Sequence, residues 1–318
     1  MTNFNTLFQQ YPQLNQPHVS RRALLAMGSM LALNLAGCGG GNNATTSSNA
    51  GGVTTLAGST TYGHADGTGV AASFNYPWGV AVDGSGNVYV VDNSNHMIRK
   101  IDSAGVVTTL AGSTTSGSTD GTGIAASFYY PAGVAVDGSG NLYVADNGNN
   151  MIRKIDSAGV VTTLAGSTTS GSTDGTGPAA SFLGPAGVAV DGSGNVYVAD
   201  SANNMIRKIT STGVVTTLAG STTPGSVDGI GVAASFNLPC AVAIDGSGNL
   251  YVADSNNNMI RKITSAGVVT TLAGSTTAGH ADGTGTAASF WGPFGVAVDG
   301  SGTLYVADSN NNMIRKIV

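Results

Sequence analysis

The sequence of 318 residues contains no glutamate, and its positive charge is restricted to a few places. All 17 acidic residues are aspartates. After Arg21 and Arg22, every basic residue belongs to one of five Arg-Lys pairs, so no loop carries a basic cluster. The formal net charge is −5, and the loss of Arg21 and Arg22 with a leader segment would make it −7. An acidic chain without basic loops is poorly suited to phosphate backbones, so no nucleic-acid partner is expected.

Cysteine is also scarce, which excludes a fold held together by disulfides. The two cysteines are Cys38 and Cys240. Cys38 is expected to carry a lipid, as argued below, which leaves Cys240 without a disulfide partner. The fold must therefore be stabilised by its packing.

The four histidines give little scope for metal chemistry. His64 and His280 occupy the same place in two copies of the loop G-H-A-D-G, and together with Asp66 and Asp282 they have the ligand types of a zinc site. The equivalent loops elsewhere carry serine instead. We therefore favour the interpretation that two copies of one loop kept a surface histidine, and no metal is expected.

The chain is dominated by an internal repeat of 54 residues. The phrase P-W-G-V-A-V-D-G-S-G-N-V-Y-V-V-D-N-S-N-H-M-I-R-K-I begins at Pro77 and recurs near residues 131, 185, 239 and 293. Each copy contains short β-branched and apolar runs separated by Gly, Asp, Asn and Ser turns, a pattern that predicts strands and no helix. Since a single small sheet cannot bury both faces, the repeat predicts a ring of stacked sheets, a β-propeller.

The ends of the repeated region predict how the ring closes. A fourth run, V-V-T-T-L-A-G, follows each of the first four copies, and V-T-T-L-A-G also occurs at residues 53–58 without the three runs that should precede it. The fifth copy stops after its third run, residues 313–317. We therefore expect an all-β, five-bladed propeller of four-stranded antiparallel blades, closed by the N-terminal strand, which completes the last blade.

The repeat resembles the NHL family of propellers. Asn95-His96-Met97 stands where that family has its naming Asn-His-Leu, and Pro-x-Gly-Val-Ala-Val-Asp with Asp-x-x-Asn-x-x-Ile-Arg-Lys-Ile matches the rest of the pattern. The resemblance covers residues 51–318, which are identified as an NHL-type propeller domain. It implies a propeller, most often of six blades, whose members include binding proteins and, among related propellers, metal-dependent lyases and lactone hydrolases.

The first 50 residues predict export and anchoring. Ser20-Arg21-Arg22 precedes an apolar run at residues 23–36, which is too short to span a bilayer and typical of a signal peptide. The run leads into Leu35-Ala36-Gly37-Cys38, which resembles the lipobox of bacterial lipoproteins; the alternative is a plain signal peptide with an incidental cysteine. Residues 1–37 are therefore predicted to be a lipoprotein-type signal, in which a partial twin-arginine motif leaves the export route open.

Residues 38–50 consist almost entirely of Gly, Asn, Thr, Ser and Ala, and this composition predicts a flexible tether. With a lipid on Cys38, the propeller is expected at the bacterial cell envelope, attached to a membrane through the lipid alone. A monomer is expected.

Variation among the copies predicts where a ligand could bind. The residues that flank each repeat-starting proline differ between copies, and several are aromatic: Tyr76, Trp78, Tyr129, Tyr130, Trp291 and Phe294. Such residues can form a stacking platform for a sugar or a peptide, and they can equally serve as packing between blades. The phenylalanine of each recurring Ala-Ser-Phe is expected to fill the space between neighbouring blades.

These observations favour a binding or scaffold module for a protein, peptide or glycan, acting through its loop-rich face. The alternative is a propeller enzyme of the metal-dependent lyase or lactone hydrolase type. We favour the binding module because glutamate is absent and the first strands offer only apolar residues to a central channel. No catalytic residue and no cofactor is expected. The arginine of each Arg-Lys pair, such as Arg99, is expected to pair with Asp92 or to lie over Tyr89, with its charge in solvent.

Overall fold

The structure is a computed structural model that describes residues 53–318. The chain divides into one unit of residues Met1–Thr54, in which only Val53 and Thr54 are described, and a second unit, Thr55–Val318, which contains every described strand. The predicted signal peptide, Cys38 and most of the tether lie outside the described residues.

The second unit is an all-β, five-bladed propeller, as predicted. Each of its five sheets is one blade, and in the first four the strand order is the same. In blade 1 the order is β1-β5-β4-β3-β2, so the first long strand lies at one edge and the fourth lies near the other. The strands of blade 1 are β1 (Gly67–Thr68), β2 (Pro77–Val82), β3 (Val88–Asp92), β4 (Met97–Ile101) and β5 (Val106–Gly112).

The next three blades repeat this arrangement at the spacing of the sequence. Blade 2 contains β6 (Gly121–Thr122), β7 (Val134–Val136), β8 (Leu142–Asp146), β9 (Met151–Ile155) and β10 (Val160–Gly166). Blade 3 contains β11 (Gly175–Thr176), β12 (Pro185–Val190), β13 (Val196–Asp200), β14 (Met205–Ile209) and β15 (Val214–Gly220). Blade 4 contains β16 (Gly229–Ile230), β17 (Pro239–Ile244), β18 (Leu250–Asp254), β19 (Met259–Ile263) and β20 (Val268–Gly274).

Blade 5 is smaller, with three strands: β21 (Pro293–Val298), β22 (Leu304–Asp308) and β23 (Met313–Ile317). The first four blades instead have one strand more than predicted. A two-residue strand from the long loop pairs with the fourth long strand, as in Gly67↔Val107, and covers an edge that would otherwise be unpaired.

Single turns of 3-10 helix join some of these strands, and no α-helix occurs in residues 53–318. One set precedes the first long strand of every blade: Gly69–Ala71, Gly123–Ala125, Gly177–Ala179, Gly231–Ala233 and Gly285–Ala287. The other joins the second and third long strands: Asn93–Asn95, Asn147–Asn149, Ser201–Asn203, Ser255–Asn257 and Ser309–Asn311. Within the described part of the chain, no helix is long and apolar enough to cross a bilayer.

The D-G-S-G-N turns between the first and second long strands are closed by their own aspartates. Oδ1 of Asp83 accepts the backbone N–H groups of Ser85 and Asn87, each at 2.9 Å. The hydrogen bond from the Asn87 side chain lowers the pKa of Asp83 to about 2. Because the same turn recurs with its carboxylate occupied, this rim offers few free polar groups to a ligand.

Neighbouring blades pack face to face through four shared apolar clusters, which join blades 1 and 2, 2 and 3, 3 and 4, and 4 and 5. Phe128, Phe182, Phe236 and Phe290 are fully buried in them, which confirms the predicted role of these four Ala-Ser-Phe phenylalanines. The fifth, Phe74, is only partly buried and packs against a cluster of blade 1. Glycine in the first long strand allows the backbones of neighbouring blades to approach closely. A Cβ at Gly79 would lie only 2.6 Å from the Ala132 carbonyl oxygen of the next blade.

The predicted closure by the N-terminal strand is wrong. Residues 53–57 form no strand, Val53 is 98% exposed, and β23 pairs only with β22 among the described residues. A Cβ at Gly295 would meet no atom of blade 1, in contrast to the tight contact at Gly79. Blades 5 and 1 therefore meet at an open seam, and the sequence match between residues 53–58 and the fourth strands did not suffice to place that segment.

Candidate functional site

The site predicted from the sequence lies where the loop before each repeat-starting proline meets the turn after the second long strand. In blade 3, Pro185 pairs with Asp200, the last residue of β13. Pro77, Pro239 and Pro293 pair in the same way with Asp92, Asp254 and Asp308. The residues flanking these prolines therefore lie along one rim of the propeller, which we call the loop rim.

A buried aspartate in each blade fixes the loop rim. Oδ1 of Asp92 accepts the backbone N–H of Asn75 at 2.7 Å, and its Oδ2 accepts bonds from Asn95 and Arg99. The corresponding aspartates of the other blades hold the backbone N–H groups of Tyr129, Leu183, Asn237 and Trp291. One residue of each variable loop is thus held to the scaffold through its backbone N–H, whatever its side chain is.

The arginine of each Arg-Lys pair completes this network, and the expectation that its charge stays in solvent is wrong. Arg99 is fully buried, with ion pairs of 2.8 Å to Asp92 and 2.6 Å to Asp66, and its guanidinium lies 5.2 Å from the centre of the Phe74 ring. The predicted pairing with Asp92 is present. It is Lys100, not Arg99, that lies over Tyr89.

Each arginine pairs with two aspartates whose pKa values shift in opposite directions. The aspartate at the end of the second long strand is buried, whereas the aspartate of the long loop lies near the surface. Loss of hydration raises the pKa of Asp146, Asp200 and Asp254 to about 6, although each carboxylate is hydrogen bonded to an arginine and an asparagine. Burial alone would also raise the pKa of Asp66, but hydrogen bonds from Thr109 and Arg99 lower it. The carboxylates of the network are therefore held by partners inside the blade, whereas the buried Nε atoms of Arg99, Arg153, Arg207 and Arg261 have no hydrogen-bond partner.

Aromatic residues at the loop rim are confined to blades 5, 1 and 2. Equivalent positions in blade 3 are Leu183, Gly184 and Ala186, and in blade 4 they are Asn237, Leu238 and Cys240. We call the six predicted residues on blades 5, 1 and 2 the aromatic arc: Trp291, Phe294, Tyr76, Trp78, Tyr129 and Tyr130.

The structure brings most of the aromatic arc into two groups. Trp78 and Phe294 stack across the open seam, with ring centres 5.7 Å apart and planes inclined by 29°. Tyr129 and Tyr130 lie 4.9 Å apart, and His96 of blade 1 meets the edge of Tyr130 at 4.7 Å. The two remaining residues, Tyr76 and Trp291, are 61% and 49% exposed. The rim therefore presents both packed and freely accessible aromatic faces.

Two tyrosines of the arc adopt a backbone conformation that favours glycine. Tyr76 has φ +52° and Tyr130 has φ +46°, whereas the same position is Gly184 in blade 3 and Gly292 in blade 5. A left-handed residue other than glycine costs of order 1 kcal/mol. Leu238, the equivalent in blade 4, is buried, so packing can offset this cost, but Tyr76 is exposed and receives little packing in return.

His96 is part of the site but was not predicted to be. Its Nδ1 accepts the Tyr130 backbone N–H, the role that the side-chain oxygens of Asn150, Asn204 and Asn258 play toward the next blade. The signal was in the sequence, since His96 is the single histidine at a position that is asparagine in the other copies. Considered only as part of the Asn-His-Met motif, His96 was not recognised as the counterpart of these asparagines.

The structure does not assemble the four candidate metal ligands. Among residues 53–318 no group of three or more His, Cys, Asp or Glu side chains could hold a metal ion. Asp66 is paired with Arg99, Asp282 is paired with Arg315, and His64 and His280 are exposed. Cys240 is a buried free thiol, and burial raises its pKa to about 12, so it is no nucleophile.

Comparison with known proteins agrees with the repeat. A family model described as the Teneurin NHL domain matches residues 42–122 and 115–178. A model described as the NHL repeat matches residues 182–209 and 290–317.

Two relatives share the repeated region. The chain is 32% identical over 274 residues to Protein SUPPRESSOR OF QUENCHING 1, chloroplastic, from Arabidopsis thaliana, covering 80% of this chain and 26% of that protein. It is 32% identical over 293 residues to NHL repeat-containing protein 2 from Bos taurus, covering 80% of this chain and 40% of that protein. The chain thus spans well under half the length of either relative.

A solved structure supports the fold. An auxiliary nutrient binding protein from Bacteroides thetaiotaomicron aligns with a TM-score of 0.55 at 19% identity, over 83% of this chain and 75% of that one. At this identity the likeness concerns architecture alone. The two family models identify the repeating unit of this five-bladed propeller as the NHL repeat.

Proposed function

We propose that this protein is a binding module held at the bacterial envelope, which recognises a protein, peptide or glycan through the aromatic arc. The observation that carries the proposal is Tyr76. It is exposed, it keeps a left-handed backbone that blades 3 and 5 assign to glycine, and it lies on the rim that carries the other five aromatic residues. Strain kept at an exposed aromatic residue is typical of a ligand contact.

The chemistry of the arc suggests the class of ligand. Exposed aromatic faces stack on sugar rings and on peptide side chains, and they lose little conformational entropy when they do so. The net charge is −5, and all five arginines of residues 53–318 are engaged in ion pairs, so an anionic ligand would find no free guanidinium in this part of the chain. A neutral or cationic ligand is therefore favoured.

The enzyme alternative is less well supported by the described residues. The aspartates at the ends of the first strands could have gathered at one mouth of the channel, but each accepts hydrogen bonds from its own turn, as Asp83 and Asp137 do. The buried aspartates at the loop rim are equally committed to arginine and asparagine. A catalytic acid, base or metal centre needs groups that the scaffold leaves available.

Blade 3 supplies substitutions that the fold already tolerates at the same rim positions. Tyr76→Gly, Trp291→Leu, Tyr129→Leu and Tyr130→Gly give each residue the identity of its blade 3 equivalent. We expect binding to an array of bacterial glycans and envelope-derived peptides to fall at least tenfold in the Tyr76→Gly, Trp291→Leu double variant, with melting unchanged within a few degrees. Ligands that bind the double variant and the unsubstituted protein equally well would contradict the proposal.

A matched control comes from the rim positions without aromatics. Leu183→Ala, in blade 3, changes a side chain at the position of Trp291 but outside the arc. It should leave array binding intact. A loss of binding as large as that of the double variant would show that the ligand binds the rim outside the aromatic arc.

The envelope part of the proposal rests on the sequence around Cys38. A lipid on this residue would hold the propeller at a membrane within the reach of residues 38–50, at most about 40 Å. Cys38→Ser should move the protein from the membrane pellet to the soluble fraction and abolish labelling by a radioactive fatty acid. Cys240→Ala introduces the residue found at the same position in blades 2 and 3. It should change neither the membrane fraction nor the fatty-acid labelling. Retention of Cys38→Ser in the pellet would contradict a lipid anchor.

A further inference from the structure

Two positions of each blade vary together on the loop rim. The first is the residue two places before the repeat-starting proline, and the second is the middle residue of the 3-10 turn after the second long strand. The backbone N–H of the second residue donates to the carbonyl oxygen of the first at 2.8 to 3.2 Å, so the two residues lie side by side. The five pairs are Asn75–Ser94, Tyr129–Gly148, Leu183–Ala202, Asn237–Asn256 and Trp291–Asn310.

The pairs divide the loop rim into two parts. In blades 2 and 3 they combine an aromatic or apolar residue with glycine or alanine. In blades 4, 5 and 1 they carry amide or hydroxyl groups, and blade 5 adds the indole of Trp291. None of the ten positions is charged, and every pair residue of blades 4, 5 and 1 is at least partly exposed. These three blades therefore present an uncharged polar surface that contains an aromatic ring.

The backbone around Trp291 is fixed from two blades. The Trp291 N–H donates to the buried Asp308 at 2.8 Å, and its carbonyl oxygen accepts the Asn310 N–H. From blade 4, Oδ1 of Asn258 accepts the N–H of Gly292 at 2.9 Å. The Trp291 side chain is nevertheless 49% exposed. It is thus an accessible aromatic face on a backbone that does not have to be ordered when a ligand binds.

Amide side chains lie next to this indole on the same two blades. The Asn310 amide fills the space beside Trp291 that glycine leaves at position 292, since a Cβ there would lie 2.5 Å from Asn310 Nδ2. Asn256 belongs to the blade 4 turn that bonds Gly292 through Asn258, and its Nδ2 donates to Oδ1 of Asn237 at 3.3 Å. An asparagine amide supplies both N–H donors and carbonyl lone pairs. The indole is therefore flanked by hydrogen-bonding groups of both kinds.

We propose that this cluster, which we call the Trp291 site, binds a neutral sugar ring of a glycan. The Trp291 indole lies against the C–H face of the sugar, and the amides of Asn256 and Asn310 bond to its hydroxyl groups. The inference rests on the proposed function and narrows its ligand from three classes to one. A pyranose ring has an apolar C–H face and a rim of hydroxyl groups that each donate and accept, and an aromatic face flanked by amides matches both features.

The charges of the rim favour a neutral sugar over a charged peptide or an anionic sugar. The paired positions offer no cation to a carboxylate or a sulfate. The rim aspartates that could bind a cationic peptide, such as Asp254 and Asp308, have no exposed side-chain surface and are paired with arginines. Selectivity at this site therefore comes from where the amides meet the sugar hydroxyls, whereas stacking on the indole contributes affinity that depends little on the identity of the sugar.

Oligosaccharide titration of the full chain tests the Trp291 site. The chain is screened on an array of neutral oligosaccharides of glucose, galactose, mannose and N-acetylglucosamine, alongside uronic-acid oligosaccharides and envelope-derived peptides, and the best neutral probe is titrated by calorimetry. Trp291→Leu with Asn310→Ala gives blade 5 the pair of blade 3 and should lower the affinity about tenfold or more. Asn256→Ala, which removes a single amide, should lower it by about three- to tenfold.

The control for these variants is Leu183→Ala in blade 3, which should leave the affinity for the neutral probe unchanged. Melting curves within a few degrees of the unsubstituted protein show that a loss of affinity is not a loss of fold. Stronger binding of the uronic-acid probes than of the neutral ones would overturn the proposed ligand.

The remaining outcomes separate this inference from the broader proposal. Sugar binding that Tyr76→Gly abolishes, but that Asn256→Ala and the Trp291→Leu, Asn310→Ala variant leave intact, would overturn the Trp291 site and keep the aromatic arc as the binding surface. Binding of peptides alone, weakened by Tyr76→Gly with Trp291→Leu, would overturn the sugar ligand and keep the binding module. Binding to no probe, or binding that no rim variant weakens, would contradict both.

Discussion

The backbone N–H of Tyr130 donates a hydrogen bond of 3.1 Å to Nδ1 of His96, across the junction between blades 1 and 2. An acceptor at Nδ1 requires the neutral imidazole with its proton on Nε2, because an imidazolium has a donor at both nitrogens. Burial lowers the pKa of His96 and so favours this neutral form, although the Asn93 contact opposes the shift. A pH-sensitive group thus holds a loop that carries two aromatic-arc residues.

His96→Asn should make the propeller less sensitive to acid. The folded pKa of His96 is lower than its unfolded value of about 6.5, so the stability that the neutral ring contributes is present above that value and is lost as the pH falls through the folded pKa. We expect the melting temperature of the unsubstituted protein to fall more than that of the variant between about pH 7 and pH 5. The measurement is thermal unfolding by circular dichroism at a series of pH values.

The other blades provide the control for this effect. Asn150, Asn204 and Asn258 accept the equivalent N–H without titrating, at 2.8 to 2.9 Å. An Asn150→His variant should gain acid sensitivity if the geometry determines it. Parallel melting curves for the unsubstituted protein and His96→Asn would mean that this hydrogen bond does not sense pH.

Tyr76→Gly should leave the protein equally stable or make it more stable by up to about 1 kcal/mol, because glycine relieves the left-handed backbone at an exposed site. Leu238→Gly relieves the same strain but removes a buried side chain, so it should destabilise the protein by about 1–3 kcal/mol. Chemical denaturation gives both values. If Tyr76→Gly were as damaging as Leu238→Gly, Tyr76 would be a packing residue.

Arg153→Ala should destabilise the propeller by about 3–5 kcal/mol, because it leaves the buried carboxylate of Asp146 without its charge partner. Arg315→Ala removes the equivalent residue from blade 5, where the second partner, Asp282, is in solvent, and should cost less. Urea unfolding of the two variants compares them. Equal losses would indicate that blade 5 is covered in solution as fully as blade 2.

The sequence predicted the strands well because one pattern repeats five times and each turn carries its own chemistry. The four long strands of blades 1 to 4 coincide with the short apolar and β-branched runs of each copy. The burial of Arg99 was missed because the repeat pattern shows only that the arginine follows a polar turn. It does not show that the loop of the same blade brings Asp66 and the Phe74 ring over it.

Closure failed as a prediction for a different physical reason. Residues 53–58 have the sequence of a fourth strand, but pairing also requires the β23 edge of blade 5 to reach this segment, whose end rests on blade 1 through Ala57 and Gly58. The aromatic residues were recognised as variable, yet their stacking across the seam depends on ring geometry that no repeat alignment contains. The left-handed backbone of Tyr76 could likewise not be predicted from its place before a proline.

The open seam makes its own prediction for two serines at the same repeat position. Ser255 is buried and bonds the Pro293 carbonyl oxygen of the next blade at 2.6 Å, whereas Ser309 is exposed and makes no bond to blade 1. Ser255→Ala should therefore cost about 1–2 kcal/mol, since it leaves a buried carbonyl without that donor, and Ser309→Ala should change stability by less than about 0.5 kcal/mol. Denaturant unfolding decides between them. A loss at Ser309 equal to that at Ser255 would show that the Pro77 carbonyl receives the same hydrogen bond in solution, and that blades 5 and 1 pack as the others do.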